Sequence, residues 1–178
     1  GDIGLHLHDG ELEFEYHLGE DEPAIVDGMA VSDEEFEPDE IVISVPQSTA
    51  TTAQGNLGLF DDTPLGVPAG ETFYKLPGTN TEAAAENAPF LGFGLEGLDP
   101  AKWLDGVTYS LLGVQSPSGS GTFSLYDSSL PGPAFSISSF DPASSVNGDN
   151  TFTLPAGTHT HFNYGFSESG LWQITLRA

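Results

Sequence analysis

"IGLHLHDGELEFEYH", residues 3–17, decides how the rest of the chain is read. Asp9-Gly10 is a dipeptide that two-residue type I′ hairpin turns favour, because both central positions of that turn need positive φ. Taking it as the turn sets a register in which His8 opposes Glu11, Leu7 opposes Leu12, His6 opposes Glu13 and Leu5 opposes Phe14. Further out, Gly4 opposes Glu15, Ile3 opposes Tyr16 and Asp2 opposes His17. One face then carries Ile3, Leu5, Leu7, Leu12, Phe14 and Tyr16. The other carries Asp2, His6, His8, Glu11, Glu13, Glu15 and His17. A slip of one residue would turn the whole apolar set to water, so the register is strongly determined.

Working outward, period-two alternation recurs and long helical periodicity is scarce. Strands are expected over 39–46 ("DEIVISVP"), 72–77, 88–98, 106–116, 121–129, 134–140 and 150–157. Another pair follows over 159–166 and 172–176. Residues 18–40 read as an acidic, mostly irregular connection. Residues 47–70 alternate turn signals with short apolar pieces such as "LGLF" (57–60), and 81–87 is the one helical turn or two. Eight to ten short strands with little helix predict an all-β, antiparallel β-sandwich, Ig-like or jelly-roll-like. No internal repeat or linker divides it, so residues 1–178 are expected to form a single sandwich domain.

The charge balance restricts partners. Three basic residues, Lys75, Lys102 and Arg177, face 27 acidic ones for a net charge of −24. Such a surface repels nucleic acid and anionic lipid and attracts cations. Fifteen of the acids lie within the first 40 residues, which concentrates the field at one end. The chain has no cysteine, which excludes thiolate metal sites, Cys nucleophiles and disulfides. No apolar run approaches the roughly 20 residues of a membrane helix, so no membrane insertion by this segment is expected. No signal peptide is evident. Acidity, absent cysteine and Ser/Thr/Gly-rich loops point to an extracellular or cell-surface module, with any export signal or anchor lying outside these residues.

The five histidines cluster at the two ends: His6, His8 and His17 near the start, His159 and His161 near the finish. In "THTHFNYGF" (158–166), alternation assigns Thr160, Phe162, Tyr164 and Phe166 to a core face and His159, His161 and Asn163 to the opposite one. A His-x-His pair on a strand sits on one face about 7 Å apart, a span that a metal ion between them can bridge. Imidazole suits Zn²⁺, Cu²⁺ and Ni²⁺, and carboxylates can complete the shell. The metal set expected is therefore His17, His159 and His161 with Glu15, provided the two ends of the chain meet. His6 and His8 join the candidates at second rank, since each also reads as an ordinary cross-strand partner of a glutamate. Zinc is the expected ion, with copper(II) or calcium as alternatives. "SDEEFEPDE" (32–40) lacks the spacing of an EF-hand calcium loop, and "NGDN" (147–150) reads as a turn.

Catalysis is not expected. No G-x-S-x-G motif or Ser/His/Asp order is present, and an outward hairpin face offers paired carboxylates no cleft. Trp172 alternates with Ile174 and Leu176 and reads as core. Trp103, in the loop "DPAKWLDG", is the better candidate for contact with a sugar.

"PAGTHTHFNYGFSESGLWQITL" (155–176) resembles the C-terminal signature of the choice-of-anchor M, or actinobacterial surface-anchored, domain family of bacterial cell surfaces. Pro155, Ala156, Gly157, His159, His161, Asn163, Tyr164, Phe166, Gly170, Trp172 and Leu176 fall on the pattern. The start fits too, through "DIGL", an acidic hairpin ending in His17, and "EPDEIVISV" (37–45); the middle fits loosely. Tyr164 stands where the family often has Trp, and Glu15-x-His17 where it often has His-x-His, while His6 and His8 lie outside the pattern. The resemblance implies an exported β domain held at the surface by a separate sorting signal, with no assigned catalytic activity. Such domains are often encoded near ABC transporters for divalent metals, some under zinc-responsive control. The expected function is therefore capture of a divalent metal, zinc first, for delivery to a metal ABC transporter. The alternative is a structural or adhesive surface module, possibly carbohydrate-binding, whose partner is a cell-surface glycan.

Overall fold

The computed structural model describes residues 1–20, 24–55, 63–128 and 133–178. Its opening hairpin joins Asp2–His8 (β1) to Glu11–Leu18 (β2) in the expected register, from Asp2 opposite His17 to His8 opposite Glu11. Asp9 and Gly10 both take positive φ, 50° and 91°, the requirement that selected this dipeptide for the turn.

The other strands are Ala24–Val26 (β3), Met29–Val31 (β4), Glu34–Phe36 (β5), Ala50–Thr52 (β6), Thr72–Leu76 (β7), Gly92–Gly94 (β8) and Val107–Gln115 (β9). They continue with Phe123–Asp127 (β10), Ala134–Ser138 (β11), Thr151–Leu154 (β12), His159–His161 (β13), Asn163–Phe166 (β14) and Gln173–Arg177 (β15). One short helix, Asn80–Glu86 (α1), starts at Thr79, whose hydroxyl accepts from Glu82 N–H, and stops at Asn87 in the left-handed conformation. Strand accounts for 43% and helix for 10%, so the chain is all-β. The sheets are ordered β13-β8-β1-β2-β5, β11-β10-β14-β7-β6, β12-β9-β15 and β3-β4. Pairing is antiparallel except between β1 and β8.

A sandwich-like core forms where the three larger sheets turn their apolar faces inward. Leu5, Tyr16 and Leu18 come from the first sheet, Leu76, Phe123, Leu125 and Tyr164 from the second, and Val107, Tyr109 and Phe152 from the third. Phe93 of β8 lies at the centre, wholly buried. Its ring meets Tyr109 and Phe152 edge-on at 5.1 Å each, and Phe162 edge-on at 6.1 Å. Rings in these geometries add about 0.5–1.5 kcal/mol per pair beyond the area they bury. Trp103, expected in an exposed loop, instead packs half-buried against this core, while neighbouring Leu104 is 84% exposed.

Three sequence expectations are corrected. The acidic stretch 18–40 is more ordered than its composition suggested, since β3, β4 and β5 fall within it. The charged side chains of β5 mask a strand that needs only one half-buried residue, Phe36, to pack. Residues 39–46 join no sheet. Ile41, Ile43 and Val45 alternate inward against the core and Val42 outward at 77% exposure, the pattern of a strand without its ladder. This segment lines a cavity of about 900 Å³ between the sheets, beside Phe93, Phe123 and Trp172. The stretch "LGLF" (57–60) lies outside the described residues.

The third correction bears on function. The expected single strand over 159–166 is two strands in different sheets. β13 pairs with β8, and β14 pairs with β10 and β7. Asn163 stands just after the crossing and is 4% exposed, so it does not share a face with the histidines. Its Oδ1 accepts from Gly78 N–H at 3.1 Å, and its Nδ2 donates to Tyr126 O at 3.3 Å and Ser128 Oγ at 3.2 Å. A short amide that both donates and accepts ties the crossing to two other segments.

Candidate metal centre

The polar face of the five-stranded sheet is best followed as rows running across the strands. His161, Gly92, Asp2, His17 and Glu35 form one row, and His159, Gly94, Gly4 and Glu15 form the next. The two histidine-bearing ends of the chain thus share a sheet, but not as neighbours. β8 and β1 stand between β13 and β2, which puts His17 and His161 about 14 Å apart at the backbone, three strand spacings. That separation is too large for one ion to hold both. Asp2, not His17, faces His161 across the intervening strand.

Glycine makes the face concave. Gly4, Gly92 and Gly94 occupy its middle, and functional side chains lie over each of them. A Cβ on Gly92 would collide with Asp2 Oδ1 and stand 2.9 Å from His161 Nδ1. One on Gly94 would stand 2.6 Å from Glu96 Oε2, and one on Gly4 would stand 3.0 Å from His6 Nε2. The missing methyl groups are the space in which two carboxylates and two imidazoles lie down on the sheet.

Two groupings result. In the first, Asp2 Oδ1 and His161 Nδ1 are buried without a hydrogen-bond partner above Gly92. Buried polar atoms are nearly always paired, and leaving one unpaired costs about 1–3 kcal/mol. The His161 ring is clamped by Phe90, stacked at 3.7 Å between centroids and 10° between planes. His159 stands edge-on to it at 5.5 Å. Glu96 Oε1 lies 2.7 Å from His159 Nδ1. A carboxylate accepting from Nδ1–H selects the tautomer whose Nε2 keeps its lone pair, the arrangement found behind metal-binding histidines.

The second grouping is His6, Glu15 and Glu35, each of which offers a ligand atom within 4.8 Å of the other two; among the described residues no other such trio occurs. The ladder places His6 opposite Glu13, but its imidazole leans diagonally over Gly4 and brings Nε2 to 3.9 Å from Glu15 Oε2. His8 leans likewise, with Nδ1 3.9 Å from Glu13 Oε2. The expected straight-across pairs thus hold for the backbone and not for the side chains. His8 lies at the exposed hairpin end, in neither grouping, and His17 sits between Asp2 and Glu35 in their row.

Negative charge on this face has no basic side chain within the sheet to offset it. Lys75 belongs to β7 and pairs with Glu82, Lys102 lies 3.9 Å from Asp99, and Arg177 is on β15. Two carboxylates about 4 Å apart repel by about 1 kcal/mol in water and about 4 kcal/mol where solvent is partly excluded. Such a face attracts cations.

Beneath the face lie two tyrosines, Tyr109 and Tyr164, whose hydroxyls are buried and unpartnered. Burial raises the Tyr164 hydroxyl well above its usual range, with smaller contributions from Asp2, Tyr16 and Tyr109. Burial, then Glu96, raises that of Tyr109. Both carboxylates of the first grouping are therefore felt in the core.

Three residues of these groupings were not selected from the sequence. Asp2 was on the polar face of the hairpin but carried no motif. Glu35 was hidden in an acidic run, and Glu96, in "GLEGL", gave no signal at all. No protein-family model matches the chain, and neither does any curated protein or solved structure.

Proposed function

We infer that this chain captures a divalent transition metal, zinc foremost, on the polar face of its five-stranded sheet, at the cell surface and for delivery to an importer. The observation that carries this reading is the meeting of Asp2 Oδ1 and His161 Nδ1, both buried and unpartnered, above the bare backbone of Gly92. His159, oriented by Glu96, adds a second imidazole beside them. Two imidazoles and one carboxylate, with Glu96 behind His159, are a donor set that suits zinc, and no thiolate competes for softer ions. The strongly acidic surface and the resemblance of residues 155–176 to a surface-anchored family support the location and the hand-over. The reading is one of binding, not catalysis. The adhesive alternative has less support, because Trp103, the aromatic residue chosen for it, packs partly against the core.

Thermal unfolding with and without Zn²⁺ tests the assignment. A ligand that binds only the native state, at a hundred times its Kd, stabilises by about 2.7 kcal/mol, an increase in Tm of about 5–10 °C at this chain length. His161→Ala with His159→Ala is expected to abolish that increase. The same increase in the double variant as in the parent overturns the assignment.

A further inference from the structure

We propose that the face holds a second, separate cation, bound by His6, Glu15 and Glu35. The proposal rests on the metal-binding reading above but uses none of the residues that carry it.

The distance of 3.9 Å between His6 Nε2 and Glu15 Oε2 is too long for a hydrogen bond. Two donors that each reach a tetrahedral ion at about 2.0–2.2 Å stand about 3.3–3.6 Å apart, so a side-chain shift of a few tenths of an ångström would bring this pair onto a common ion. Glu35 brings a third oxygen within 4.8 Å of both. Glu15 Oε2 is itself buried and unpartnered, on a side chain only 15% exposed. Both carboxylates crowd one imidazole in a sheet that contains no lysine or arginine, and a divalent ion at their centre would satisfy all three groups.

This position is not the edge of the first one. The three donors come from β1, β2 and β5, whereas Asp2, His161, His159 and Glu96 gather around β8 and β13. The strand common to both, β1, contributes Asp2 to one and His6 to the other. The His6 imidazole over Gly4 and the pair over Gly92 stand one strand and two residues apart, about 8 Å at the backbone. One ion cannot serve both sets. One imidazole with two carboxylates is also the harder donor set, so this position is expected to accept Mn²⁺ as well as Zn²⁺, while the two-histidine position favours Zn²⁺.

Counting bound zinc decides it. The full chain is titrated calorimetrically at physiological salt, and the zinc retained after desalting is measured by elemental analysis. The expected result is two Zn²⁺ per chain, falling to one in Glu35→Gln, to one in His161→Ala and to none in the double variant. Glu35 is exposed, so its exchange leaves the fold intact, and far-UV circular dichroism checks this. A His8→Ala control retains both ions. One ion per chain, unaffected by Glu35→Gln, overturns the second site and leaves the first standing. No bound zinc at all overturns both readings together.

Discussion

His161 and Asp2, residues from nearly opposite ends of the chain, converge on the space that a side chain at position 92 would fill. Gly92 has ordinary extended backbone, so alanine is tolerated there conformationally. Its methyl group would nonetheless displace both ligand atoms. Gly92→Ala is therefore expected to fold, with a Tm within a few degrees of the parent, and to lose the zinc shift of the first site. Thermal scans with and without Zn²⁺ check this. A retained full shift would show that the pair above Gly92 does not hold the ion.

Phe90 carries no ligand atom, yet its stacking fixes the ring of His161. Hydrogen-bonding partners of metal-ligating histidines typically change metal affinity by about 10–100-fold, and a stacked ring that only orients the imidazole is expected to act at the low end. Phe90→Ala is expected to weaken zinc binding by about tenfold at the first site while leaving stoichiometry unchanged, as read by calorimetric titration.

Alkaline pH should unfold the protein through its buried tyrosines. Tyr109 and Tyr164 have raised folded-state pKa values, so above about pH 10 the unfolded chain has released protons that the native state still holds. Unfolding stability then falls as pH rises, because the unfolded state binds fewer protons than the native one. Tyr164→Phe removes an unpartnered hydroxyl, and the loss of stability between pH 9 and 11 is expected to become shallower in denaturant titrations. An unchanged slope would rule out Tyr164 as a contributor.

Asn163→Ala removes one acceptor and two donor contacts at the point where the chain changes sheets, and strands the N–H of Gly78. A cost of about 2–4 kcal/mol is expected, since net hydrogen bonds contribute about 1 kcal/mol each and an unpaired buried group about 1–3. The lowered Tm should still rise with Zn²⁺, which separates a structural role from a ligand role.

The segment lining the cavity should be less costly to trim than the centre of the core. Phe93→Ala is expected to lose about 3–5 kcal/mol, the usual range for a buried aromatic ring. Ile43→Ala, from a half-buried position beside a cavity of about 900 Å³, should lose about 1–2 kcal/mol. Equal losses in urea denaturation would mean that residues 41–45 are an integral part of the core.

Elements governed by local rules were legible directly. The Asp9-Gly10 turn specified a two-residue loop, and alternation then left one register that gathers the apolar set on one face. This is the pairing observed from Asp2–His17 to His8–Glu11, although Leu7 and Leu12 beside the turn reach past the core and stay exposed. The short helix after Thr79 and the strands from Thr72 and Val107 follow from the same kind of signal. Ile41 to Val45 alternates just as clearly, yet it forms no strand, because alternation reports which side is buried and says nothing about whether a neighbour supplies hydrogen bonds.

The sequence by itself determined the all-β class, the hairpin register, the acidic surface and the outward aim of His159 and His161. Only the tertiary structure decided which of those side chains meet. It inserted the glycine strand Gly92–Gly94 between the two ends, replaced His17 by Asp2 as the partner of His161, and recruited Glu35 and Glu96. The reason is physical: period two assigns a residue to a face, but the order of strands across a sheet depends on long-range pairing. A candidate donor set drawn from β1, β2, β5 and β13 and the turn after β8 is fixed only when that order is.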